Sequence, residues 1–407
     1  MDWPVFSGEL LVGDAVTSAG YGRDFGGIVH RRPRAVLRAS DVADIVAAVR
    51  YCHAHGIPVV ARGQAHTTRG QCQRDGALII DVRGLDEVGA PAGDRVRVGA
   101  GARWSSVVRR AFTDGLTPPV LTDYVELTVG GTLSVGGVGG QSFAHGLQVD
   151  NVIALEVVTN EGERVHCSAE RDTELFYGCL GGLGRAGVIV EATLRLVPAP
   201  RRVRVRSLPY DDLATFLDAQ HVLAQAHVFD YLCGNFLPPA TAARGIAGWQ
   251  LELQCAHDAS TTIAHDLAAT GARLDRETAA VELDWLAFVE RLEAMVQAWR
   301  ASGSWTSLHP WIDLFIARAH AEQLIGAALE ELTRDDIGDG YVMTYPLLGS
   351  RRGPASPRMP DGELLFLFDI LPTLQPHALA AFEQRCATML RCALDRGATV
   401  YPIGYGV

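Results

Sequence analysis

Apolar and polar positions recur along this chain with two different periods. Between Asp41 and His55 the apolar residues Val42, Ile45, Val46 and Val49 fall on one helical face, with Ser40 placed to open the helix and Gly56 to end it. The short apolar run Ile57–Ala61 reads as a buried strand, as do Ala77–Val82 and Arg95–Val98, and Trp104–Asp114 reads as an amphipathic helix closed by Gly115. The stretch Val129–Gly140, VGGTLSVGGVGG, holds six glycines in twelve residues. Such a density argues against both a helix and an ordinary strand, and for a backbone that bends tightly or approaches a ligand closely. Strand-like runs follow at Val152–Thr159, Glu163–Ser168 and Val188–Val197. Beyond residue 205 longer helical patterns, Tyr210–Ala226 and Ser260–Thr270, are interleaved with strands such as Gly248–Gln254, Leu314–Ala317 and Leu364–Ile370, which predicts a domain boundary near residues 198–205. The loop Gly349–Gly362, GSRRGPASPRMPDG, is expected to be exposed and mobile.

Composition narrows the picture. With 407 residues and 48% hydrophobic positions the chain can build two ordinary cores. It has 36 basic residues, all of them arginine, against 47 carboxylates, for a net charge of −11. An acidic chain without basic blocks is a poor binder of nucleic acid. No basic leader precedes an apolar run at the N-terminus, and no stretch approaches the roughly 18 uninterrupted apolar residues of a membrane span, so a cytoplasmic protein without membrane contact is expected. Eight scattered cysteines without a CxxC pair are expected to be reduced and mostly buried.

Two motifs fail on context. Gly182, Gly184 and Gly187 spell GxGxxG, but a helical pattern precedes them and a strand pattern follows, the reverse of a dinucleotide fingerprint. Cys52, His53 and His55 do not share a helix face, and no metal is expected there or elsewhere. The segment Ile57–Gln71, IPVVARGQAHTTRGQ, says more: a strand enters a loop of small residues whose backbone N–H groups can converge on an anion. His66 in that loop is either a group with chemistry to do or a ring hydrogen-bonded to backbone. Asp123 and Glu126 precede the glycine-rich stretch, where a carboxylate serves either as a general base or as a turn cap.

Taken together, FGGIVHRRPRAVLRAS (25–40), ARGQAHTTRGQ (61–71), TDYVELTVGGTLSVGGVGGQSFAHGLQVDNV (122–152), ELFYGCLGGLGRAGVIVEATLRLVPAP (174–200), HPWIDLF (309–315) and MTYPLLGSR (343–351) resemble the flavoproteins of the vanillyl-alcohol oxidase type and, within them, the cytokinin dehydrogenase family. The resemblance implies an α+β fold of two domains. Residues 1–200 would form a PCMH-type FAD-binding domain of two α/β subdomains, and 205–395 a substrate domain with an antiparallel sheet and flanking helices. Residues 396–407 would return towards the first domain. The family continues past YPIGYGV (401–407) to a motif of the type DPxxxLxPGQ, so the chain is expected to be a shortened relative or a fragment.

By the same resemblance FAD is the cofactor, joined covalently through His66 in Ala65-His66-Thr67 where the family usually has Gly-His-Ser. No cysteine lies near 122–125, so a single linkage is implied. The flavin-contacting positions implied are Ala61, Arg62, Gly63, Gln64, Ala65, Thr67, Gln71, Thr122, Asp123, Thr128, Gly130, Gly131, Thr132, Ser134, Gly137, Gly139, Val188 and Ile189. Asp123 matches the catalytic aspartate, and Trp311 with Asp123 would line the substrate pocket, between the domains. Asp313 stands where the family commonly has asparagine. The implied reaction is oxidation of N6-isopentenyladenine by a monomer, with oxygen or a quinone as electron acceptor. Two other readings stay open: a related covalent-flavin oxidase of an alcohol, sugar or biosynthetic intermediate, and an inactive relative that only binds.

Overall fold

The clearest helical period forms the helix it predicts, one residue later at its start. In the computed structural model, which describes residues 3–239, 245–261 and 280–403, the helix spans Val42–Ala54. Asp41 caps it rather than Ser40, its carboxylate accepting from Asp44 N–H at 2.8 Å. A cap of this kind contributes about 1 kcal/mol. Gly56, at φ +62°, turns the chain out of the helix.

The chain divides into two units. The first comprises residues 1–137, 148–199 and 354–357. Its strands are β1 (Glu9–Val12), β2 (Ala35–Arg38), β3 (Val59–Arg62), β4 (Leu78–Asp81), β5 (Arg95–Gly99), β6 (Leu116–Thr117), β7 (Val152–Thr159), β8 (Arg164–Ser168), β9 (Gly187–Arg195) and β10 (Val197–Pro198). One sheet has the order β1-β2-β4-β3 with parallel β2–β4 and β3–β4 pairs. A second, antiparallel sheet has the order β5-β9-β7-β8, and β6 pairs with β10 alone. Ile45, Ala48, Val49 and Cys52 of the helix share one core with Leu37, Leu78 and Ile80 of the first sheet and Val158, Val188 and Val190 of the second. Helix Trp104–Phe112 follows β5, and helix Thr173–Cys179 precedes β9. That order, helix then strand across Gly182, Gly184 and Gly187, is the one that argued against a dinucleotide fingerprint.

The glycine-rich stretch differs from expectation, because Val129–Leu133 is a short helix. Its start is set by tertiary bonds, Val129 N–H to Ala102 O and Gly130 N–H to Ala100 O, each 2.8 Å. Packing overrides propensity here.

The second unit comprises residues 138–147, 200–353 and 358–407. Its strands β11 (Arg202–Tyr210), β12 (Tyr231–Leu237), β13 (Gln250–Asp258), β14 (Val281–Asp284), β15 (Ile312–Ala317), β16 (Tyr341–Leu348), β17 (Leu364–Leu371) and β18 (Thr399–Val400) form one antiparallel sheet in the order β14-β11-β13-β12-β16-β17-β15-β18. Tyr210 belongs to β11, and the helix expected from it begins at Leu213, capped by Asp212. That helix and helices Arg318–Glu331 and Leu379–Asp395 pack on one face of the sheet, against Leu253, Leu314, Phe366 and Phe368. Of the segment 396–407, Thr399–Val400 pair with β15, and 404–407 lie outside the described residues, as does most of the expected helix Ser260–Thr270. The loop 349–362 is less exposed than its composition suggests, since Ala355 and Met359 are buried and Ser356 Oγ donates to Asp150.

All eight cysteines are free thiols, seven of them buried. Among the described residues no helix is long and apolar enough to cross a membrane.

Candidate flavin-binding site

Strand β3 delivers the chain into the loop that carries His66, and the N-terminal segment holds that loop by its carbonyls. Phe25 N–H donates to Ala65 O at 2.9 Å and Gly26 N–H to Thr67 O at 3.0 Å. The buried Asp24 carboxylate accepts from Gly70 N–H at 2.7 Å, Thr67 Oγ1 at 2.8 Å and Gly27 N–H at 3.3 Å. Burial pushes the Asp24 acid above the ordinary carboxylate range, and these donors pull it back. The N–H groups of Gly63, Gln64 and Ala65 take no part in these bonds, which is the arrangement an anion cradle requires.

Ala65 sits at φ +55°, in the left-handed region, at a cost of about 1–2 kcal/mol for a residue with a Cβ. This backbone turn explains why glycine suits the position before the histidine. The half-buried His66 ring stacks on Phe25 with centroids 4.1 Å apart and planes 12° from parallel, and lies 5.2 Å from the Tyr124 ring. The loop holding Asp123 is thus brought against the loop holding His66.

Helix Trp104–Phe112 positions that second loop. Ser105 N–H donates to Val125 O at 2.8 Å and Trp104 N–H to Leu127 O at 3.1 Å, while Arg103 pairs with Glu126 at 2.8 Å. Glu126 is therefore engaged in a surface ion pair. Asp123 is half-buried, between Thr122, whose Oγ1 donates to Tyr124 O at 3.0 Å, and Tyr124 itself.

The two loops meet at Thr128. A Cβ on Gly63 or on Gly131 would press into Thr128 Oγ1, and one on Gly130 into Ala100, so these glycines let the segments pack in close contact. Gly137 has φ +75°, and a Cβ there would collide with the Gln148 carboxamide. Two polar atoms around this cradle are buried without a protein partner: Nε2 of Gln71, whose Oε1 accepts from Arg69 N–H at 2.9 Å, and Oε1 of Gln148. Atoms of this kind are satisfied by ordered water or by a bound polar group.

The remaining sequence-implied positions are occupied differently. Ala61 and Arg62 belong to β3, and the Arg62 guanidinium clamps the N-terminal segment, donating to Arg23 O at 2.8 Å and lying over the Tyr21 ring. Thr132 Oγ1 accepts from the buried Trp104 Nε1 at 2.8 Å, and Ser134 Oγ donates to Gly130 O at 2.7 Å. Val188 points into the core beneath the helix, and Ile189, one residue on, faces the other side of β9. Gly139 and Trp311 belong to the second unit. There Gly139 N–H donates to Ser142 Oγ, and the buried Trp311 meets the His309 ring edge to face. Phe25, Asp24, Tyr124 and Gln148 were not singled out by sequence reasoning. Phe25, Tyr124 and Gln148 stand inside the motifs that carry the resemblance, but the contacts of Phe25 and Tyr124 with His66 and of Gln148 with Gly137 span too many residues for a local pattern to reveal.

Comparison with known proteins now decides the family. Residues 33–168 match the family model described as an FAD binding domain, and residues 249–400 match that of cytokinin dehydrogenase 1, FAD and cytokinin binding. An uncharacterized oxidoreductase from the fasciation locus of Rhodococcoides fascians is 36% identical over 392 residues, covering 95% of this chain and 88% of its own. Cytokinin dehydrogenase 10 of Oryza sativa subsp. japonica is 34% identical, with coverage of 82% and 68%. The chain belongs to the cytokinin dehydrogenase family. The 6-hydroxy-D-nicotine oxidase of Arthrobacter nicotinovorans shares the fold of this family member, with a TM-score of 0.73, 22% identity, and coverage of 95% of this chain and 86% of that one. This cytokinin dehydrogenase homologue is accordingly an FAD-dependent oxidoreductase. The residues present fit the cofactor, since the buried Gln71 Nε2 and Gln148 Oε1, which have no protein partner, lie inside the matched FAD domain.

Proposed function

We propose that this protein is a cytokinin dehydrogenase that oxidises the secondary amine of an N6-substituted adenine such as isopentenyladenine. The observation that carries the reading is the approach of the Asp123–Tyr124 loop to His66 beside the Thr128 glycine cradle, with the His66 and Tyr124 rings 5.2 Å apart. FAD, when bound, supplies the acceptor for the hydride and its two electrons. His66 is the residue through which it would be attached, held in orientation by the Phe25 ring. Gly63, Gln64 and Ala65 would meet the pyrophosphate with backbone N–H groups, a solution open to a chain without lysine.

Asp123 acts as the general base. Its carboxylate accepts the proton of the substrate N–H as the adjacent carbon gives up hydride, so that the amine becomes an imine. Water then adds to the imine carbon, the carbon–nitrogen bond breaks, and adenine and an aldehyde are released. Oxygen or a quinone re-oxidises the enzyme. Incubation of the purified chain with isopentenyladenine and a quinone tests the reading. Adenine and aldehyde in equal amounts are expected. A flavin-loaded protein that turns over an alcohol or a sugar but leaves isopentenyladenine intact would favour the related oxidase class instead.

A further inference from the structure

His66 lies in a loop that has no helix or strand of its own, and the segment Asp24–Gly27 fixes the backbone on both sides of it. The carbonyls that flank His66, those of Ala65 and Thr67, accept from the consecutive N–H groups of Phe25 at 2.9 Å and Gly26 at 3.0 Å. Asp24 reaches further along the loop. Its Oδ2 accepts from Thr67 Oγ1 at 2.8 Å and from Gly70 N–H at 2.7 Å, and its Oδ1 from Gly27 N–H at 3.3 Å. The two segments touch backbone to backbone, since a Cβ on Gly26 would stand 2.1 Å from Thr68 O and 2.4 Å from Thr68 Cα. Arg62 ties down the start of the segment through Arg23 O at 2.8 Å.

These bonds act on the loop from the Ala65 carbonyl onward, whereas the N–H groups assigned to the pyrophosphate belong to Gly63, Gln64 and Ala65. Asp24 is only 5% exposed. A buried carboxylate is costly unless donors surround it, and two of its three donors come from the loop that carries His66. Both of its oxygens serve as acceptors. An amide cannot reproduce that, because its NH2 would face either Gly27 N–H or the Thr67 and Gly70 donors. The Phe25 ring stacked on His66, with centroids 4.1 Å apart, follows Asp24 directly in the chain and is placed by the same anchor. A reacting group displaced by about 1 Å loses rate steeply.

We infer that Asp24 is a positioning residue for flavin attachment: its carboxylate fixes the Thr67–Gly70 half of the loop so that the His66 ring stands where the bond to the cofactor forms, while the cradle that binds the cofactor works without it. The inference rests on the attachment of FAD through His66 proposed above. Attachment exchanges an N–H of the imidazole and a C–H of a flavin methyl group for one N–C bond. The two protons and two electrons released pass to the flavin ring and from it to oxygen or a quinone, the acceptor that the reaction already requires.

Full-length chains produced under riboflavin starvation, mixed with excess FAD in air and precipitated with acid at intervals, test the inference through the flavin held in the pellet. Asp24→Asn and Asp24→Ala should attach flavin at least about tenfold more slowly than wild type. In a His66→Ala background, adding Asp24→Asn should leave the Kd for FAD within about threefold of that of His66→Ala alone. An affinity that falls in step with the attachment rate would overturn the inference, because Asp24 would then merely hold the domain together. Attachment by both Asp24 variants at the wild-type rate would overturn it equally. Should these variants not fold, Thr67→Val and Thr67→Ser give an independent reading: the first loses the hydroxyl that Asp24 accepts from and should attach slowly, and the second keeps it and should attach at the wild-type rate. Equal rates for the two would overturn the role of Asp24. Flavin missing from the wild-type pellet would contradict the attachment at His66 and overturn this inference with it, whereas a coloured wild-type pellet beside equally fast variants contradicts the role of Asp24 alone.

Discussion

At the scale of single residues, the candidate site rests on two side chains that a reader of the sequence meets 57 positions apart, His66 and Asp123. If Asp123 is the base, Asp123→Asn removes the proton acceptor while leaving the shape of the loop, and kcat should fall by about 10²–10⁴-fold with flavin content unchanged. Steady-state rates with isopentenyladenine beside the absorbance spectrum check both halves of that statement. Ala65 is informative in another way. At φ +55° it pays for a conformation that glycine adopts freely, offset by glycine's greater freedom in the unfolded chain. Ala65→Gly is therefore expected to raise stability by about 0.5–1 kcal/mol, read as a higher Tm, and a lower Tm would show that the loop does not need that backbone turn. Motif resemblance marks His66 and Asp123 as the candidates. What supports them was not, because Phe25 stacked on His66 and Asp24 bonded to Gly70 are contacts across more than forty residues.

At the scale of elements, hydrophobic period was a good guide where an element carries its own signal. The helix Val42–Ala54, the strand Val152–Thr159 and the strand Leu364–Leu371 stand close to where the period places them. It failed where neighbours decide. The helix Val129–Leu133 forms on glycines because N–H bonds from Val129 and Gly130 to the Ala102 and Ala100 carbonyls, with the Trp104–Thr132 contact, fix its first turn. Strand β11, where RVRVR alternates cleanly, crosses the domain boundary expected at residues 198–205. Tertiary contact also sets the next prediction. A methyl at Gly63 would press into Thr128 Oγ1, so Gly63→Ala should separate the β3 loop from the start of that helix and lower bound flavin several-fold. Gly63→Ala combined with Thr128→Ala should recover part of it. Equal flavin loss in the single and double variants would show that the collision is not the cause.

At the scale of the whole molecule, the absence of disulfides and the burial of the thiols make a direct statement about the folded state. Burial pushes Cys52 and Cys167 up to about 11 and Cys179 up to about 12, so these sulfurs stay protonated and inert at neutral pH. Cys392 alone among the eight is partly accessible. A thiol reagent should therefore modify one group per native chain quickly and all eight after denaturation. The texture of the sequence changes near residue 200, and the second unit is dominated by one eight-stranded sheet, but the place of residues 138–147 in that unit was not legible, since a decapeptide inside a glycine-rich motif carries no sign of which core it joins. The central claim remains that the first unit carries flavin on His66. Acid precipitation of the purified protein, with flavin spectra of pellet and supernatant for wild type and His66→Ala, tests it most directly. Flavin held in the wild-type pellet and released to the supernatant, or missing, in the variant is the predicted result; flavin that leaves the wild-type pellet as readily as the variant's would contradict the covalent attachment at His66.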